Sequence, residues 1–175
     1  MNKLLSLLLA VSLLRLAPVW AAEGDWDRAK AAHERGDYAA EIAIIRPLAE
    51  QGFAFAQFNM GVLYDEGHGV ALDDLQAMEW YRKAAEQGLP QAQINLGIMY
   101  EQGEGGPADY AQAYFWYAMA DSQGDSQAPQ ALREISEKMT PAQIEEAQRK
   151  VKEWRANHTF TIPPLPAPEP EPGNR

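Results

Sequence analysis

The stretch from Gly52 to Gln123 carries one pattern twice, 36 positions apart. Gly52, Ala56, Gln57, Asn59, Gly61 and Tyr64 return as Gly88, Ala92, Gln93, Asn95, Gly97 and Tyr100. Gly67, Gly69 and Asp73 return as Gly103, Gly105 and Asp109, and Gln76, Ala77, Trp80, Tyr81, Ala84 and Gln87 as Gln112, Ala113, Trp116, Tyr117, Ala120 and Gln123. A fixed period of this length marks an array of helical repeats. One such unit cannot bury its apolar face alone, so neighbours must stack.

The residue types predict a helix pair in each unit. Ala56, Met60, Leu63 and Tyr64 follow helical spacing on one face. Gly67-His68-Gly69 ends that helix, with glycine suited to a left-handed cap. Asp73 and Asp109 then stand where a carboxylate accepts bonds from free N–H groups. Ala77, Trp80, Tyr81 and Ala84 predict the buried stripe of the second helix. Gly61 and Gly97 lie inside first helices, where glycine costs about 1 kcal/mol against alanine. Their recurrence leads us to expect another helix backbone passing close by.

The run Ala56-Gln57-Phe58-Asn59-Met60-Gly61-Val62-Leu63-Tyr64, then Gly67-x-Gly69-Val70-x-x-Asp73, then Ala77-x-x-Trp80-Tyr81-Arg82-Lys83-Ala84-Ala85-Glu86-Gln87-Gly88, resembles the Sel-one-like repeat, a relative of the tetratricopeptide repeat. The second copy departs from it at Gly106, in place of valine, and at Asp121, in place of the second alanine. The resemblance implies an all-α fold, a right-handed α/α solenoid of stacked helix pairs. It also implies a protein-binding adaptor, common in bacterial export compartments; it does not imply a reaction.

Flanking segments complete the expected organisation. Residues 1–21 read as a signal peptide, with Lys3 in a positive n-region, Leu4 to Leu14 apolar, and cleavage expected after Ala21. That predicts a periplasmic or secreted protein with no stable membrane anchor once the signal is removed. No cysteine is present, so neither a lipid-anchored cysteine nor a disulfide is available. Residues 22–158 are the expected solenoid: a divergent first pair over 22–51, clear repeats over 52–87 and 88–123, and a C-terminal capping pair over 124–158. Thr140-Pro141-Ala142-Gln143 predicts the start of the last helix. Residues 159–175 are read as a Pro-rich disordered tail, built around Ala167-Pro168-Glu169-Pro170-Glu171-Pro172.

The formal charge is -10, which becomes -10 - 2 = -12 once Lys3 and Arg15 leave with the signal. No basic run exists to displace counterions from nucleic acid. His33, His68 and His158 are scattered without metal spacing, and no nucleophile elbow or phosphate loop occurs. The two Gly-x-Gly elements close helices instead of following strands. No enzyme activity, metal or cofactor is expected.

Binding should then fall on successive first helices, the concave side of such a solenoid. The candidate partner-binding residues are Phe55, Asn59 and Glu66, with Gln91, Asn95 and Gln102 as their counterparts. Phe55/Gln91 and Glu66/Gln102 change character between copies, as a partner-tuned surface would. Asn59 and Asn95 either clamp an extended peptide or join adjacent repeats. Phe58/Ile94 and Val62/Ile98 are expected to pack between repeats. We expect a monomer that binds a protein or peptide, and a basic patch on the partner would speed association. Two alternatives remain open: a cell-envelope enzyme or glycan-binding factor, weakened by the missing cysteine pairs of such relatives, and a purely structural spacer.

Overall fold

Asp37, Asp73 and Asp109, spaced 36 apart, each open a helix by the same device. Their carboxylates accept from the backbone N–H of Ala40 (3.1 Å), Gln76 (3.0 Å), and Ala111 and Gln112 (both 3.0 Å). Each satisfies donors that the first helical turn leaves free. Gly67 and Gly103 close the preceding helices at φ of 67° and 77°, a left-handed conformation that favours glycine.

A computed structural model describes residues 19–158 and Phe160, with side chains from residue 24 onward. Its helices are α1 (Val19–Glu34), α2 (Tyr38–Glu50), α3 (Ala54–Glu66), α4 (Asp74–Glu86), α5 (Pro90–Gln102), α6 (Tyr110–Asp121), α7 (Ala128–Glu137) and α8 (Pro141–Asn157). No strand occurs among the described residues. The body of the expected signal peptide, residues 1–18, lies outside them, as does the tail from residue 161. None of the described helices is long and apolar enough to cross a membrane.

The pairs α1·α2, α3·α4 and α5·α6 are hairpins, and α2·α3, α4·α5 and α6·α7 join one hairpin to the next. This is the stacked arrangement that the period predicts. The cores straddle the joints. Trp80 of α4 enters the cluster of Ile45, Leu48, Ala56, Met60 and Leu63, and Trp116 of α6 enters that of Tyr81, Leu89, Leu96 and Met99. Phe58 and Val62 pack against the second of these clusters, and Ile94 and Ile98 belong to the next one. Each first helix therefore presents one side to the unit before it and another to the unit after it.

Three expectations are corrected. No helix backbone presses on Gly61 and Gly97; the rings of Tyr81 and Tyr117 do, within the same hairpin. The C-terminal segment does not end in a packed pair, because α8 lies across α6 instead of pairing with α7. Its Ala147 and Ile144 join the α6–α7 core, while Val151 and Trp154 reach the α4–α5 core. Phe160, assigned to the disordered tail, also packs against that core. The Thr140 capping box starts α8 as predicted, with Thr140 and Gln143 each capping the other's backbone N–H.

Candidate interaction surface

The six candidate residues occupy equivalent positions on α3 and α5, and they divide into two kinds. Glu66, Gln91 and Gln102 are exposed. Glu66 brings Oε2 to 2.8 Å from His68 Nδ1, and the His68 ring stacks on Tyr38 at 4.2 Å. Phe55, Asn59 and Asn95 are half-buried and engaged in the fold. Phe55 packs against the α4–α5 core. The Asn59 amide donates to Phe55 O within its own helix at 2.8 Å. Asn95 stands beside the Tyr81 hydroxyl of the preceding helix: burial drives that hydroxyl far above its ordinary pKa, and the Asn95 side chain opposes the shift.

Below this face runs a polar framework that repeats bond for bond. Gln57 donates to Ala49 O at 3.1 Å and accepts from Gln87 at 2.7 Å; Gln93 donates to Ala85 O at 3.0 Å and accepts from Gln123 at 2.8 Å. Each buried amide thus ties the end of one second helix to the end of the next. The sequence signal was present, since a glutamine among alanines in both copies marks a polar group that burial forces to be paired. Tyr81 donates to Asp65 at 3.0 Å, and Tyr117 to Glu101 at 2.7 Å. Arg46 donates to the Tyr64 hydroxyl at 3.3 Å, and Arg82 to that of Tyr100 at 2.8 Å.

Electrostatics separate the two tyrosine–carboxylate pairs. For Glu101, burial acts upward, but Lys138, 2.7 Å away, and the Tyr117 hydroxyl outweigh it and hold the carboxyl below its ordinary value. Asp65 has no such cation. Burial raises it, the Tyr81 bond opposes this, and the Asp74 and Glu66 charges push it up further. Among the described residues, no group of three or more His, Asp or Glu could hold a metal ion. The arrangement offers surfaces and hydrogen-bonding groups for recognition.

Comparison with known proteins matches this architecture. The Sel1 repeat model matches residues 54–89 and 90–125. A Sel1 repeat protein from Oxalobacter formigenes is 32% identical, over 63% of this chain and 98% of that one, with a TM-score of 0.52. A protective antigen present in uropathogenic Escherichia coli strains, which displays an SLR fold, is 29% identical over 77% of this chain, with a TM-score of 0.72. The chain spans 30% of that antigen's length. No curated protein sequence matches. With its period, its glycine and aspartate caps and its stacked hairpins, the chain belongs to the Sel1 repeat family.

Proposed function

We propose that the protein is an exported adaptor that holds a protein or peptide segment on the concave surface formed by α3 and α5 and does no chemistry of its own. One observation carries the reading. The framework repeats bond for bond, whereas the positions above it differ: exposed Glu66 corresponds to exposed Gln102, and half-buried Phe55 to exposed Gln91, across the 36-residue shift. A pure spacer has no need of such variation over an unvarying support. Sel1 repeats generally act as scaffolds for protein interactions, which supports the reading. Lys3 and the apolar run that follows it support the export reading, and with it a periplasmic or secreted location.

The test is crosslinking of the full chain in the native envelope with a diffusible amine-reactive crosslinker, beside a variant with Glu66, Gln91 and Gln102 all replaced by alanine. The adaptor reading expects a discrete crosslinked protein that the triple variant loses while its thermal unfolding is unchanged. Crosslinks to nothing, or to the same protein with undiminished yield in the variant, would end it.

A further inference from the structure

A second surface, which includes none of the six candidate residues, lies between the second helices of neighbouring repeats, with Met99 and Tyr100 of α5 also lining it. A cavity of about 690 Å³ runs between α4 and α6 over the loop that follows Gly103. Leu75 and Tyr110 line it and are exposed, at 61% and 37%. Together with Leu72, at 64%, they are the large apolar side chains left exposed among the described residues. Leu75 and Tyr110 stand in the first turns of α4 and α6, and Leu72 in the loop just before α4. Gly105 keeps the floor open: at φ of 75° it lies against Met78 and Leu75, and a Cβ there would meet the Met78 sulfur at 2.9 Å.

The charge around the cavity is net negative, with three carboxylates against one guanidinium. Glu79, Glu104 and Asp109 line it. Arg82, the cation among the lining residues, is already held by the Tyr100 hydroxyl. Lys138 has its Nζ 5.8 Å from the centre of the Tyr110 ring but spends its charge on Glu101. Burial raises the Glu104 carboxyl above its ordinary value, and the Asp65 and Asp74 charges raise it further.

From the exposed Leu75 and Tyr110 and the carboxylates beside them, we infer that this groove docks an extended segment of another protein carrying one large apolar side chain next to lysine or arginine. The apolar side chain covers Leu75 and Tyr110, and the flanking cations pair with Glu79 and Glu104. A small molecule inside the cavity would leave Leu75 and Tyr110 wet at its mouth, whereas a chain running across it removes both from water. Complementary charge sets register and association rate, so binding falls as salt rises. This site is independent of the α3–α5 face and stands or falls without it.

The probe is a set of short fluorescent peptides with leucine, phenylalanine or tryptophan at the centre, flanked by lysines, serines or glutamates. Binding to the full chain is followed by anisotropy at low and high salt. The lysine-flanked peptides should bind and the glutamate-flanked ones should not. Leu75→Ser with Tyr110→Ala should weaken binding on the order of tenfold, as should Glu79→Lys with Glu104→Lys. The Glu66, Gln91 and Gln102 triple variant should bind as the parent does, which separates this site from the proposed adaptor face. All of the altered groove residues but Glu104 are exposed, and far-ultraviolet circular dichroism checks that each variant is folded. Failure of every lysine-flanked peptide to bind would overturn the inference. So would binding that the groove variants leave intact, or a dimer in sedimentation that Leu75→Ser abolishes, since the groove would then belong to a second copy.

Discussion

Tyr81 lays its ring so close to the backbone of Gly61 that a Cβ on that glycine would stand 2.5 Å from Cδ1. The ring cannot retreat easily, because Tyr81 is fully buried and its hydroxyl is tied to Asp65. Gly61→Ala therefore sets two effects against each other. Alanine favours the helix by about 1 kcal/mol, and overpacking a buried ring costs about 1–3 kcal/mol. The clash should win, lowering stability in chemical denaturation. Gly24→Ala, in α1 with open space around it, should be neutral or stabilising. If Gly61→Ala also proved neutral, the ring contact would not be what keeps glycine at this position.

Gln93 tests whether the repeats are tied by polar bonds as well as by apolar packing. It is fully buried, donates to Ala85 O and accepts from Gln123. Gln93→Leu keeps much of the volume but removes the amide's bonds to Ala85 O, which Gly88 N–H still reaches at 2.9 Å, and to Gln123, at a cost of about 0.5–1.5 kcal/mol for each bond. A double-mutant cycle with Gln123→Ala should return a coupling of roughly 0.5–1.5 kcal/mol for the shared bond. Additive losses would mean that Gln123 is satisfied by its other partner, Met119 O at 3.2 Å.

The two tyrosine–carboxylate pairs should answer pH with opposite signs. Glu101 is held below its unfolded value, so its contribution is present above roughly pH 4 and is lost as pH falls through its lower folded value. Asp65 is held above its unfolded value, so its contribution is present in acid and lost as pH rises through the raised folded value. At neutral pH, Glu101→Gln should lower the melting temperature. Asp65→Asn, which still accepts from Tyr81, should raise it. Both differences should shrink towards pH 3, and melting curves across pH read them directly. Shifts of the same sign at neutral pH would remove Lys138 as the cause of the contrast.

How far the sequence reaches is seen by setting Asp73 beside Phe160. Asp73 was legible because a cap is a local device, recognised by residue type and position, and the period repeated it. The stacked hairpins were legible for the same reason. The ring on Gly61 was half legible: the recurring glycine announced a close neighbour, but spacing alone does not distinguish a backbone from an aromatic ring. Asn59 and Asn95 share a register position, yet one bonds within its helix and the other faces Tyr81. That difference depends on rotamers, which the pattern does not encode. The fold-back of α8 was not legible at all, because it follows no repeat and depends on which surface of α6 is left uncovered.

That fold-back leads to the last prediction. Trp154 of α8 stands 6.2 Å, ring to ring, from Phe115 of α6 and 4.9 Å from Phe160, with His158 stacked on it at 4.2 Å. Phe160 in turn lies on Gly88, at φ of 97°, where a Cβ would come within 2.5 Å of the ring's Cγ. Gly52 and Gly124 hold the same place in their repeats, also at positive φ, with nothing so close. Only the middle of these three turns is covered, so the aromatic group acts as a clasp on one joint, the one between α4 and α5. Phe160→Ala should leave the solenoid folded but speed amide exchange at Gln87 to Leu89 and open the chain after Asn157 to protease. It should also shift Trp154 emission to the red as that ring meets water. Gly88→Ala should unseat the same clasp from the other side and add the strain of a side chain at φ of 97°, so the pair together should lose little more than Gly88→Ala alone. Independent, additive effects on exchange would mean that Phe160 and Gly88 are neighbours without being coupled.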